Sequence, residues 1–293
     1  MTRLWLILLI TLGVAFIGSD RMQHQSGDDV QIPDRFDPVA WCIVPYDAEE
    51  RSPIERAKML NDLGFSRMAW DWREEHLPEL QEELRALQKH DIELTAAWLW
   101  VDHRASDGLL EEHTYIMDTI AEDQVSTSFW VGIDESFFET LSDQEKLEKA
   151  IWFIGKLRDH AVEDGNAIAL YNHGGWFGRP ENQVRIIEEL GKEDVGIVYN
   201  FHHGHDHIDR FPEMVELMLP HLWTVNLNGM DPDGEQIMDI GSGKYEKQMI
   251  RTLIQAGYNG QFGIIDHRHD EDTREVLKRN KKELVALLEE MDV

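Results

Sequence analysis

A single cysteine, Cys42, occurs in the 293 residues of the chain. Internal disulfides and multi-cysteine metal centres are therefore excluded, and Cys42, set in an apolar run, is expected to be a buried, inert thiol. Basic residues are scarce too: 28 Lys and Arg face 57 Asp and Glu, a net charge of -29. Nucleic acid and anionic membrane surfaces repel such a chain and are poor partners. The acidic balance favours neutral or cationic ligands, although solubility alone is reason enough for it. No glycine-rich phosphate loop follows the first apolar run, so a doubly wound sheet built around a dinucleotide gains no support.

What is present begins with the N-terminus. Arg3 precedes an almost unbroken apolar stretch, residues 4–18, that is short for a membrane span and ends in a polar Ser-Asp-Arg. This is the pattern of a secretory signal peptide, or of an N-terminal anchor if it is not cleaved, and it implies a periplasmic or secreted protein. Residues 1–27 are assigned to this segment and the start of a linker, 28–37 to the rest of the linker, and 38–293 to one folded domain.

A composition of 42% hydrophobic residues with 10 Trp excludes a disordered chain. From residue 39 onward strand-like apolar runs alternate with amphipathic stretches. The runs are 39–46, 67–72, 93–101, 128–133, 167–171, 196–200, 223–228 and 262–265. The stretches between them carry helix punctuation: Gly64, Gly191 and Gly257 follow helix ends, Pro180 opens a helix, and Ser142 with Glu145 forms a capping box. Repeated strand-then-helix units of this number predict an α/β fold, a (β/α)8 TIM barrel forming a single domain.

In a barrel the side chains that end the strands gather at one mouth. Here they are Tyr46, Asp47, Asp71, Trp72, Trp98, Trp100, Asp102, Asp134, Glu135, Tyr171, Asn172, His173 and Trp176. The later strands add Asn200, His202, His203, His205, His207, Asn226, Asn228, Asp266, His267 and His269. The segment GIVYNFHHGHDH, residues 196–207, holds four of the chain's 14 histidines and is the place where chemistry is most expected. Aromatic faces beside Asn and Asp side chains suit a carbohydrate, whose C–H faces stack on rings while its hydroxyls need fixed donors and acceptors.

Several motifs resemble a known family. LYNHGG (170–175), GIVYNFHH (196–203), TVNLN (224–228), GSG (241–243) and AGYNGQFGII (256–265) are similar to the successive strand-end motifs of xylose isomerase-like sugar phosphate isomerases and epimerases. The resemblance implies a divalent metal held by a Glu after the fifth strand, an Asp after the sixth, a His after the seventh and a Glu after the eighth, with a further His three residues beyond the Asp. Tyr171, Asn200, Asn226 and Ile265 stand at the first four of these positions, and only His203 is kept. Neutral amides, a phenol and an alkyl chain are poor ligands for Mg2+ or Mn2+, so no metal and no other cofactor is expected at these positions. The acid and base that the family draws from its two glutamates are missing with them.

Three readings follow. In the first the protein is an isomerase- or epimerase-like enzyme acting on a small carbohydrate. His173, His203 and Asp266 then do the proton work, and Asp71, Trp72, Trp98, Trp100, Tyr171, Asn172, Trp176, Asn200, His202, His205, Asn226, Asn228 and His267 hold the substrate. In the second it is a secreted sugar-binding barrel without catalysis. In the third it is a His-rich, zinc-type metalloenzyme with ligands from among His203, His205, His207 and Asp266, or from His173, His202 and His267.

Overall fold

The computed structural model describes residues 37–291, so the export signal and most of the linker expected before the domain lie outside the described residues. Eight parallel strands close into a barrel in sequence order, β1 pairing with both β2 and β8. The strands are β1 Val39–Trp41, β2 Arg67–Trp70, β3 Glu93–Val101, β4 Ser128–Ile133, β5 Ala167–Tyr171, β6 Val195–Asn200, β7 Leu222–Leu227 and β8 Gln261–Ile265. Between and after them run α1 Pro53–Asp62, α2 Leu80–Lys89, α3 Glu111–Glu122, α4 Asp143–Glu163, α5 Pro180–Leu190, α6 Phe211–Met218, α7 Glu246–Gln255 and α8 Thr273–Glu289. The fold is the (β/α)8 barrel that the repeat pattern predicts.

Strands covered on both faces need apolar residues in both parities, and β6 is buried at every position. One parity packs outward against the helices: Met68, Leu99, Val131, Leu170, Ile197, Val225 and Ile264 belong to this large cluster. The other fills the barrel: Val39, Trp41, Ala69, Ala96, Trp130, Ala169, Tyr171, Val198 and Ile265, with Trp98 against them. The inward set is small at one end and aromatic at the other, so the barrel narrows to a plug of rings beneath its C-terminal mouth.

Glycines admit these rings. A Cβ on Gly132 in β4 would lie 2.4 Å from Trp98, and one on Gly196 in β6 would lie 2.2 Å from Trp223. The helix signals fall as expected. Ser142 and Glu145 cap α4 reciprocally, Pro180 opens α5, and Gly191 closes α5 in the left-handed conformation. The second run stops at Trp70 rather than at 72, and β6, β7 and β8 each begin one residue earlier; the largest difference is at β1, where the run expected over 39–46 leaves the sheet after Trp41, because Cys42 turns to a φ of 54°. That turn brings residues 42–46 back over the barrel mouth. Among the described residues no helix is long and apolar enough to cross a membrane.

Candidate active site

The mouth of the barrel holds a cavity of about 60 Å³ lined by Trp41, Cys42, Tyr46, Asp71, Arg73, Trp98, Tyr171, His173, Asn200, His202, His203, Ile265 and His267. Its floor is the aromatic plug. Trp41 meets Trp130 edge-on at 4.9 Å between ring centroids, and Trp98 meets Tyr171 edge-on at 4.8 Å. The Tyr171 hydroxyl accepts from Trp41 Nε1 at 3.0 Å and from Asn200 Nδ2, which ties β1, β5 and β6 together at one atom. Burial holds this phenol well above the usual tyrosine range, so it keeps its proton.

Above the floor, rings form a continuous collar. Tyr46 stacks on His267 at 4.0 Å, His267 reaches His202 at 4.8 Å, His202 reaches His203 at 4.3 Å, His203 reaches His173 at 4.4 Å, and His173 meets Trp100 at 4.7 Å. Burial and mutual repulsion keep these imidazoles neutral. His202 and His267 are pushed down to about 4, and His203 lies far below the ordinary histidine value because burial, His202 and His173 all oppose its charge. Burial lowers His173 as well. The collar is therefore a row of neutral donor–acceptor rings.

β2 supplies the opposite wall. Asp71 is buried, its Oδ1 accepts from the Val44 N–H at 3.3 Å, and its Oδ2 has no partner. Burial pushes its carboxyl up to about 6 against the pull of Arg73. Two residues on, Arg73 donates to the Tyr46 hydroxyl at 2.6 Å and to the Trp72 carbonyl at 2.7 Å. Two non-glycine residues with left-handed backbone lie here: Cys42 and His267, both lining the cavity, have φ of 54° and 60° and are joined by a His267 N–H to Cys42 carbonyl bond of 3.3 Å. Burial and then Asp71 raise the Cys42 thiol, which stays protonated.

Of the residues singled out from the sequence, Asp71, Trp98, Tyr171, His173, Asn200, His202, His203 and His267 line the cavity. Asp266, expected beside them for proton work, does not. Ile265 points inward, so the pleat sends Asp266 to the other side, where it accepts from the Thr273 hydroxyl at the start of α8. Its other oxygen is buried without a partner, and burial pushes the group up to about 7.

Asn172 clamps β5 to β6, accepting from the Asn200 N–H at 2.6 Å and donating to its carbonyl at 3.0 Å. Asn228 donates to the Gly229 carbonyl, Trp72 to the Trp98 carbonyl and Trp176 to Asp143, and Trp100 backs His173. Asn226 is wholly buried below the mouth, its amide against Gly263. His205 bonds the Asp231 and Gln236 carbonyls at 3.0 and 3.1 Å, so it serves the β7 loop.

Sequence reasoning missed Trp41, Cys42 and Arg73 as lining residues. Trp41 and Cys42 were hidden by drawing β1 too long; the signal for Arg73 was a cation two residues beyond a strand-end Asp in an acidic chain.

The donor set does not fit the metal that the family resemblance implies. The positions in question present a protonated phenol, two neutral amides, an alkyl chain and one imidazole, and Tyr171 and Asn200 already spend their polar atoms on each other and on Trp41 and His202. The His-rich alternative is not assembled either. His205 and Asp266 face other partners, and among the described residues no group of three or more His, Cys, Asp or Glu is placed to hold a metal ion.

The chain matches no protein-family model and no curated protein sequence. Solved structures do match. The apo 3-keto-D-glucoside 4-epimerase of E. coli is similar with a TM-score of 0.65 at 15% identity, over 86% of this chain and 99% of that one. The D-allulose 3-epimerase of Methylomonas sp. in complex with D-allulose gives a TM-score of 0.62 at 12% identity, over 86% and 98%. A xylose isomerase-like TIM barrel protein of Mycobacterium smegmatis in complex with magnesium gives 0.56 at 15% identity, over 86% and 96%. At these identities the likeness establishes the fold, a (β/α)8 TIM barrel.

Proposed function

We propose that this xylose isomerase-like barrel is a carbohydrate-active enzyme of isomerase or epimerase type that works without a divalent metal such as the magnesium of the M. smegmatis barrel. The observation that carries the reading is the cavity wall on which a buried carboxyl with a free oxygen, Asp71, faces neutral His173 and His203 over a floor of Trp41, Trp98 and Tyr171. The neighbours' sugar chemistry supports it.

A carboxyl near pH 6 is well matched to moving a proton at neutral pH. Asp71, once ionised, takes a proton from the carbon next to a sugar carbonyl, and neutral imidazole N–H groups donate hydrogen bonds to the oxygen on which negative charge develops. The carboxyl then returns the proton to the neighbouring carbon, while a neutral imidazole of His173 or His203 takes the proton of the adjacent hydroxyl, whose oxygen becomes the new carbonyl, and passes one to the former carbonyl oxygen. With one carboxyl on one wall this favours a transfer between adjacent carbons on a single face, the step of an aldose–ketose isomerisation. Asp71 thus takes the part that the sequence suggested for Asp266.

The test is a panel of free sugars and sugar derivatives incubated in D2O and followed by NMR. Wild-type protein is expected to exchange and convert at least one of them, with or without a chelator. Asp71→Asn is expected to lower kcat by about 10²–10⁴-fold and His203→Ala by about 10²-fold, and activity is expected to rise with pH through about 6 as Asp71 ionises. Turnover abolished by chelation would end the metal-free reading. The cavity of about 60 Å³ is far below the roughly 300 Å³ of ordinary ligand sites, which favours a second reading: a barrel that grips only part of a sugar and does not turn it over. Saturable binding with no exchange anywhere in the panel would establish that one.

We place the protein outside the cytoplasm, released or held by its N-terminal segment, on the strength of Arg3 and the apolar stretch 4–18. Residues 1–27 fused to a reporter are expected to carry it across the membrane; a reporter retained in the cytoplasm would refute this.

A further inference from the structure

Charge inside the cavity runs against charge everywhere else. In a chain of net charge -29, the mouth presents one fixed cation, Arg73. The four lining imidazoles, His173, His202, His203 and His267, are neutral at pH 7, and every family-type carboxylate position holds a neutral side chain.

Arg73 is exposed at the mouth, and among the described residues no carboxylate lies within ion-pair distance of it. Of the other described arginines, Arg51, Arg56, Arg67, Arg104, Arg158, Arg185, Arg210, Arg268, Arg274 and Arg279 pair with acids, and Arg85, Arg179 and Arg251 do not but lie away from the cavity. Two neutral oxygens, the Tyr46 hydroxyl and the Trp72 carbonyl, hold the guanidinium in place, and its Cζ lies 5.3 Å from the centre of the Tyr46 ring. A guanidinium has five N–H donors in a planar fork, so three remain after these two bonds, enough for a two-pronged grip on a planar anion. An oriented, accessible cation without a directly bonded carboxylate, near the only other charged lining residue, Asp71, is a specificity device awaiting an anion.

We propose that the substrate of this site is a carboxylated sugar, a uronate or aldonate, whose carboxylate is seated on Arg73 while its carbonyl end lies under the His173–His203 pair. The inference rests on the sugar-site reading above and narrows it. A phosphorylated sugar fits less well. Its double charge would meet one cation in a strongly acidic protein, with Asp71 adding repulsion on the same wall.

The experiment is calorimetric titration of the full chain with matched probes: glucuronate, galacturonate, gluconate and galactonate, against glucose and galactose and their 6-phosphates. At least one carboxylated sugar is expected to bind tenfold or more tighter than both its neutral and its phosphorylated counterpart. Arg73→Gln should bring that sugar down to the level of the neutral one, and Arg73→Lys should restore part of the difference. Circular dichroism of both variants checks that the barrel is intact. Neutral or phosphorylated sugars binding as tightly as the acids would overturn the inference and leave the sugar site standing, as would an equal loss for acid and neutral sugar in Arg73→Gln. Failure of every probe to bind would remove the site reading itself, and the inference with it.

Discussion

The hydroxyl of Tyr171 is the atom on which the site turns. In the sequence it marks a lost metal ligand; in the structure it is a joint, accepting from Trp41 on β1 and Asn200 on β6. Removing an acceptor shared by two buried donors leaves both unpaired, and each costs about 1–3 kcal/mol. Tyr171→Phe is therefore expected to destabilise the protein by about 2–4 kcal/mol in urea denaturation without altering the circular dichroism of the folded state. No change in stability would mean that the joint carries no energy and that the phenol is placed there for chemistry alone. Pleat parity in β5 makes Tyr171 legible as an inward residue. Nothing local says that Trp41, 130 positions away, will donate to it.

At the scale of elements, strands and helices are where the repeat pattern puts them, and the glycines inside strands explain how large rings fit. Gly132 and Gly196 are equivalent in chemistry and opposite in place. The first makes room for Trp98 under the mouth, the second for Trp223 at the base of β6 and β7. Alanine at either forces a ring aside, at about 1–3 kcal/mol for overpacking. Both variants are expected to lose stability in thermal melts, but only Gly132→Ala should weaken ligand binding, because only Trp98 lines the cavity. Equal binding by the two variants would show that the aromatic floor does not touch ligand. The loops carry what the periodicity does not: β1 stops at Trp41 because Cys42 turns left-handed, and His267 makes the matching turn after β8.

For the whole molecule, buried titrating groups on the two sides of the mouth oppose each other. His202 binds a proton more weakly folded, at about 4, than unfolded, at about 6.5, so its contribution is intact above about pH 6.5 and is lost as pH falls toward 4. Asp266 binds a proton more tightly folded, at about 7, than unfolded, at about 3.9, so its contribution is present at low pH and is lost as pH rises through 7. His202→Asn should flatten the fall in stability between pH 6.5 and 4. Asp266→Asn, which keeps an acceptor for Thr273, should raise stability at pH 8 by on the order of 1–3 kcal/mol and leave it unchanged near pH 4. Denaturant titrations across pH check both, and a parallel response of the two variants would contradict the opposed roles.

Much of this protein is written in short stretches of chain. Alternation of apolar residues, the cap at Ser142, the proline at 180 and the glycines after helices each depend on neighbours a few residues apart, so the strands, the helices and the closed barrel were legible. The same parity places Tyr171 and Asn200 inside, and the histidine-rich end of β6 announces His202 and His203 at the mouth. Membership of the site beyond the strand ends was decided by tertiary structure alone. Once a strand stops, its parity no longer says where a side chain points, and a left-handed turn or a partner from a distant strand decides instead. For that reason Arg73 and Cys42 came in and His205 went to other partners, whereas Asp266, next to inward Ile265, is turned away by the pleat itself. Shifted proton affinities follow the same logic, because burial and the company of other charges exist only when the barrel is closed.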